Sequence, residues 1–132
     1  MDHRGGIVLE TGGAYRFLPA GVAGTVVPTA PVVPVPGLAA PAVGLVLTED
    51  RVATVLQVGS LASDHMIICE IHGGSVALAG ARVVATGVFP ASEEGVIWDG
   101  VSADELDVLA LTLEVEAAIW RAGGLGQDER HE

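Results

Sequence analysis

The sequence contains no lysine, a single cysteine and few aromatic residues, and each scarcity excludes a class of protein. Six arginines stand against 17 acidic residues, which gives a formal net charge of −11. Nucleic acids and anionic membrane surfaces are bound through clusters of Lys and Arg, so both are disfavoured as partners. With 4% aromatic residues and many valines and alanines, we expect a core of small, often β-branched side chains.

The lone Cys69 cannot form an internal disulfide, which fits a reducing compartment. No run of eighteen apolar residues is free of proline and charge, and the N-terminal stretch MDHRGGIVLE lacks the long apolar segment of a secretion signal. We therefore expect a soluble, cytoplasmic protein without membrane insertion. A chain of 132 residues, half of them hydrophobic, predicts one domain with a sizeable core.

Short apolar runs separated by turn residues predict a mainly β protein. The expected strands and hairpins cover residues 6–11, 15–19, 22–27, 43–58, 66–74, 76–84 and 96–98. Between the third run and the first hairpin lies a proline-rich segment, which contains Pro28, Pro31, Pro34 and Pro36. Proline fixes φ and lacks an N–H group, so this segment is predicted to be an extended edge and not a helix or a central strand.

One helix is predicted over residues 102–122, followed by a flexible tail at 125–132. Ser102 and Glu105 match a capping box, and Gly123-Gly124 supplies a stop signal. The helix carries two apolar stripes, one with Leu106, Leu109 and Leu113, and the other with Val108, Leu111, Val115 and Ile119. A helix that is apolar on so much of its surface needs more than one contact surface. Packing against the strands is expected, and contact of one stripe with a partner or a second copy is the alternative.

No set of residues predicts catalysis, a metal site or a cofactor. His65, Cys69 and His72 lie close in sequence, but strand alternation places His72 on the opposite face from the other two. Asp64, His65 and a nearby serine contain the residue types of a hydrolase triad. They lie in one short loop, however, without a nucleophile-elbow motif.

The order of these elements resembles the CheW-like domain, the adaptor module of bacterial chemosensory arrays. The resemblance covers about residues 6–100: two strands around Gly12-Gly13, the proline-rich stretch at 33–37, the hairpin at 43–58 and the later strand pair. It implies a single domain over 1–132, in which two SH3-like β-barrels pack together and are followed by a C-terminal helix. It also implies a non-catalytic scaffold without a cofactor, which couples a chemoreceptor signalling domain to a CheA-type histidine kinase and is recruited to a receptor array.

By the same resemblance, a groove between the barrels accepts the receptor tip and a separate barrel edge meets the kinase. The residues expected to contact partners lie in the first hairpin and beside the proline-rich segment. They are Val26, Val43, Gly44, Leu45, Glu49, Asp50 and Arg51.

The first hairpin turn departs from the family pattern Asn-x-Arg-Gly-Arg. The matching residues 47–51 keep only the last arginine, because Glu49 stands where the family has arginine and Asp50 where it has glycine. Further departures are found at Thr25, Thr54, Gln57 and Gly80-Ala81. They support an alternative, a diverged CheW-like binding module that serves another signalling or motility pathway without kinase coupling.

Overall fold

The computed structural model describes residues 2–38, 40–48, 51–71 and 74–117, which form ten strands and one helical stretch. The strands are β1 (His3–Glu10), β2 (Tyr15–Pro19), β3 (Ala23–Pro28), β4 (Ala42–Thr48), β5 (Arg51–Gln57), β6 (His65–Ile71), β7 (Gly74–Ala79), β8 (Arg82–Pro90), β9 (Gly95–Trp98) and β10 (Val101–Glu105). The helix, α1, covers residues 108–117.

The strands form two curled five-stranded sheets, as expected for two small SH3-like barrels. The first barrel has the strand order β8-β1-β2-β10-β9, and the second has the order β3-β6-β7-β5-β4. A bridge between Ala91 and Val96 joins the end of β8 to β9, and a bridge between Val33 and Leu45 joins the proline-rich segment to β4. The prediction of a mainly β fold with a helix at its C-terminal side is confirmed.

Both predicted hairpins are present. β4 pairs antiparallel with β5, so that Leu47 lies opposite Val52, and β6 pairs antiparallel with β7, so that Cys69 lies opposite Val76. Two pairings are parallel and join strands that are not consecutive in sequence: β10 lies parallel to β2, and β5 lies parallel to β7.

Buried apolar residues of the described chain form three clusters, one inside each barrel and one between the barrels. The first barrel encloses Val8, Phe17, Phe89, Val96 and Ala103. The second encloses Val46, Ala53, Val55, Met66, Ile68 and Ala77. The cluster between them includes Leu9, Leu18, Leu56, Ile67, Cys69, Leu78, Val108 and Val115.

Residues 66–69 form an uninterrupted apolar run because both faces of β6 are buried in these clusters. Successive side chains of a strand point to opposite faces. Met66 and Ile68 of β6 therefore fill the second barrel, while Ile67 and Cys69 fill the space between the barrels. A strand that is buried on both faces has no solvent side on which to place polar residues.

The predicted start of the helix at Ser102 is wrong, because Val101–Glu105 is strand β10. The Glu105 carboxylate, expected to cap a helix, accepts a hydrogen bond from Arg4 Nη2 at 2.7 Å. Arg16 donates to the carbonyl oxygens of residues 104 and 105 at 3.2 and 3.1 Å. α1 begins later, where Asp107 Oδ1 accepts the Ala110 N–H at 3.0 Å as an N-cap. The predicted helix end at 122 and the tail at 125–132 lie outside the described residues.

The stripe of α1 that packs against the barrels is the one with Val108 and Val115, which are both buried. In the other stripe, Leu109 and Leu113 remain exposed, and only Leu106, which precedes the helix, is buried. In the described part of the chain, no helix is both long enough and apolar enough to cross a membrane.

Candidate partner-binding surface

The proline-rich segment forms the edge that closes the second barrel. The Val33 N–H donates to the Leu45 carbonyl at 2.7 Å, and the Leu45 N–H donates to the Val33 carbonyl at 2.9 Å. Ala30 and Val32 pack against the interior of the same barrel. Pro31 lacks an N–H group, so the segment cannot donate to β4 at the next paired position. The extended edge predicted from the prolines is confirmed.

Gly44 is buried where β4 meets this segment. A Cβ on residue 44 would overlap the Val33 carbonyl oxygen and lie 2.7 Å from Val32 Cγ1. The close backbone approach that glycine permits here is therefore made by the chain itself. Gly44, one of the expected contact residues, therefore lies buried beneath the surface and supports it.

Several apolar side chains of β4, β5 and the edge segment are exposed side by side. Residues directly opposite each other in an antiparallel pair share one face of the sheet. Leu47 lies opposite Val52, and Leu45 is opposite both Thr54 and, across the bridge, Val33. We name this surface the apolar face and define it by Val33, Leu45, Leu47 and Val52.

Leu47 is 66% exposed, Val33 is 62% exposed and Val52 is 57% exposed, while Leu45 is half-buried. Val43, at the bulge near the start of β4, is exposed beside them. Adjoining exposed apolar residues are a stronger indication of a binding surface than single ones. Val43 and Leu45 are among the contact residues expected from the sequence, whereas Val33, Leu47 and Val52 are not, although the alternation 43, 45, 47 indicates Leu47.

Arg51, at the start of β5, is engaged by its own chain. Its Nη1 donates to the Glu70 carboxylate, and it also lies 3.3 Å from Ser75 Oγ. Ser75 Oγ donates in turn to Glu70 Oε2 at 3.2 Å. A partner carboxylate that approached Arg51 would compete with Glu70. The neighbouring turn residues Glu49 and Asp50 lie outside the described residues.

Val26 lies in a different place, a groove between the two barrels. It is opposite Ile67 in the β3–β6 pair, and its side chain is 44% exposed. The groove has a volume of about 180 Å³, and its walls come from β3 and β6 of the second barrel and from the region around the start of β8 in the first. Its lining residues are Val26, Ser63, His65, Ile67, Ala81, Arg82 and Val83.

The expected contact residues therefore divide between two surfaces. Val26 lines the inter-barrel groove, whereas Val43 and Leu45 belong to β4, at the other end of the strand order of that sheet.

Two side chains of nucleophilic type, Cys69 and Ser63, lie in or just before β6. Burial, and secondarily the neighbouring Glu70 carboxylate, raises the pKa of the Cys69 thiol to about 12. The Ser63 hydroxyl bonds the main chain of His65, accepting from its N–H at 3.3 Å and donating to its carbonyl at 3.1 Å. Within the described residues, no three His, Cys, Asp or Glu side chains are grouped as metal ligands. His72 lies outside these residues.

No family model matches the chain, and no curated protein matches it. Among solved structures, the chain is similar to the scaffolding protein TtCheW from Thermoanaerobacter tengcongensis, with a TM-score of 0.54 and 16% sequence identity. The similarity covers 64% of this chain and 66% of that chain, so the match leaves about a third of each outside. At this identity the likeness concerns the fold, and it agrees with a CheW-like arrangement of two barrels.

Proposed function

We propose that this chain is a non-catalytic adaptor of a bacterial chemosensory system, which couples a chemoreceptor signalling domain to a CheA-type histidine kinase through protein contacts. The observation that carries the proposal is the apolar face, exposed on a CheW-like fold. Contact with a partner would remove these side chains from water, and the loss of exposed apolar area favours association.

The expected contact residues have distinct roles in this proposal. Val43, Leu45, Leu47 and Val52 supply apolar contact area for one partner. The inter-barrel groove with Val26 receives the other, the receptor tip. The charged turn of Glu49, Asp50 and Arg51 selects partners by charge, because like charges brought together oppose binding.

In this role the protein forms a single domain over residues 1–132 and works in the cytoplasm, recruited to a receptor array. It needs no cofactor and does not bind nucleic acid. The net charge of −11 is consistent with protein partners.

The second candidate is a diverged CheW-like binding module that serves another signalling or motility pathway without kinase coupling. It is favoured by the hairpin turn, where Glu49 replaces the family's arginine and Arg51 is paired with Glu70. A partner that offers a carboxylate at this position would meet negative charge and an engaged arginine.

The test is titration of the full chain with a receptor signalling domain and, separately, with the regulatory domain of a CheA-type kinase. Leu47→Arg and Val52→Arg place a charge in the apolar face, and each should weaken binding of one partner at least about tenfold. Val88→Arg is the matched control, because Val88 is 68% exposed on β8 of the other barrel. Its affinities should equal those of the native chain.

Binding of the receptor domain without the kinase domain would favour the second candidate. Binding of neither would contradict the adaptor role. Equal losses of affinity from Val52→Arg and Val88→Arg would show that the apolar face is not part of the interface.

A further inference from the structure

A second apolar groove lies on the outer side of the second barrel, between its sheet and α1. Its volume is about 290 Å³, and its walls come from β5, β6, β7 and the helix. Residues that line it include Thr54, Ile71, Val76, Leu109, Leu113 and Glu116. It is separate from the inter-barrel groove, which is formed around β3, β6 and β8.

The leucines of this groove are more exposed than the residues that attach α1 to the barrels. The helix attaches to the barrels through Val108 and Val115, which are 2% and 5% exposed. Leu109 and Leu113 are one turn apart on the same side of the helix and remain 37% and 53% exposed. Two leucines in this arrangement form a ridge that another helix can pack against.

The groove also continues the apolar face. Thr54 lines the groove, and Val52 lies two residues earlier on the same face of β5. An elongated ligand seated beside α1 would therefore extend from Leu113 and Leu109 towards Val52. The apolar side chains along this surface suit a rod-shaped segment with apolar residues along one side.

The negative charge of the groove and of the whole chain indicates which ligand the groove can bind. Among the described residues that line the groove, Glu116 is the titratable one, and the whole chain carries a net charge of −11. A second copy would bring the same carboxylate and the same excess of negative charge, which opposes association. The last eight residues of the chain, 125–132, are also a poor match. After Gly123-Gly124 they contain one apolar residue, Leu125, among polar ones.

We propose that this groove binds an amphipathic helix of a basic partner. Apolar side chains of that helix pack against Leu109 and Leu113, and an Arg or Lys on its flank pairs with Glu116. This docking requires neither the receptor nor the kinase of the adaptor role, so the two proposals can fail independently.

The test uses the full chain and two fluorescein-labelled helical peptides of about 18 residues, long enough to support a helix. Both carry leucines along one face; one has arginines beside them, and the other has glutamates at those positions. The arginine peptide should bind at low ionic strength, and the glutamate peptide should bind at least about tenfold more weakly.

Glu116→Arg should weaken binding of the arginine peptide about twofold to fivefold, the range of an exposed ion pair. Glu114→Arg makes the same charge change on α1 at a position outside the groove lining, and should leave the affinity unchanged. Leu113→Gln should cost about tenfold in affinity, while Val88→Gln, on the other barrel, should cost nothing.

Failure of the arginine peptide to bind, equal binding of both peptides, or equal effects of Glu114→Arg and Glu116→Arg would overturn the proposal. Sedimentation equilibrium should show that Leu113→Gln does not change the oligomeric state; a dimer dissolved by this substitution would make the second copy the occupant. Trp120 and Leu125 are apolar residues that follow the described part of the chain, and replacing both by Ser should leave peptide affinity unchanged. A gain in affinity would mean that the chain's own C-terminal residues cover the groove.

Discussion

The carbonyl oxygen of Val33 occupies the space that a Cβ on residue 44 would fill, so the proline-rich segment closes the second barrel directly over Gly44. The paired hydrogen bonds between Val33 and Leu45 hold this position. Val33 and Leu45 are also part of the apolar face. The closure of the barrel and the shape of the candidate binding surface therefore depend on the same contact.

Gly44→Ala should destabilise the protein by about 1–3 kcal/mol, because the added methyl group forces the edge segment away from β4. Urea denaturation followed by circular dichroism measures the loss. Gly13→Ala is the control, since a Cβ at residue 13 meets nothing within 4 Å. Equal stability of the two variants would show that the segment does not press against β4 at this point.

The two stripes of α1 should respond differently to truncation. Val115→Ala removes buried methyl groups from the cluster between the barrels and should cost about 1–3 kcal/mol of unfolding free energy. Leu113→Ala removes more atoms but from an exposed position, and should change stability by less than about 0.5 kcal/mol. The unfolding midpoints of the two variants in urea measure this difference. A larger loss of stability for Leu113→Ala would reverse the assignment of the stripes.

The Cys69 thiol should resist alkylation in the native protein. Burial first, and the Glu70 carboxylate second, raises its pKa from 9.0 to about 12. Iodoacetamide at pH 8 should therefore label the protein in guanidinium much faster than the native protein. Equal labelling rates would contradict the burial of the thiol.

The raised pKa of the Cys69 thiol also predicts that the protein loses stability in alkali. The folded state favours the neutral thiol, so this contribution is fully present below pH 9 and is lost as the pH rises towards 12. The free energy of unfolding of the native chain should fall over this range relative to that of Cys69→Ala. A constant difference between the two proteins would show that the thiol does not titrate differently on folding.

The hairpin turn should control partner preference. Replacing Glu49 by Arg and Asp50 by Gly restores the family's residues at these positions and removes negative charge. If the turn meets a receptor tip that offers a carboxylate, the double variant should bind that tip more tightly than the native chain does, most clearly at low salt. Titration at two ionic strengths measures the effect. Unchanged affinity would place the turn outside the interface.

Local patterns in the sequence were enough to predict most of the strands. The hairpins 43–58 and 66–84 were readable because a short turn joins two apolar runs, and their pairing partners are neighbours in sequence. The buried state of Cys69 followed from its place in an apolar run. The edge character of residues 28–36 followed from proline, whose missing N–H acts in any context.

The prediction of a helix start at Ser102 is wrong for the opposite reason, because contacts between distant segments decide the structure there. Ser-Ala-Asp-Glu satisfies a local capping pattern, but residues 101–105 are bound by β9, β2, Arg4 and Arg16, which are far away in sequence or invisible to a capping rule. Interactions between distant segments overrode a weak local preference.

The sequence by itself therefore determined the class of the fold, the edge segment and the absence of a polar face on strands such as β6. The tertiary structure decided which stripe of α1 is buried, that Arg51 is held by Glu70, and that Val33, Leu47 and Val52 lie on one surface. Hydrophobic periodicity records how much apolar surface must be buried. Where the remaining exposed apolar residues meet depends on strand order and register, which are set by contacts between residues far apart in the chain.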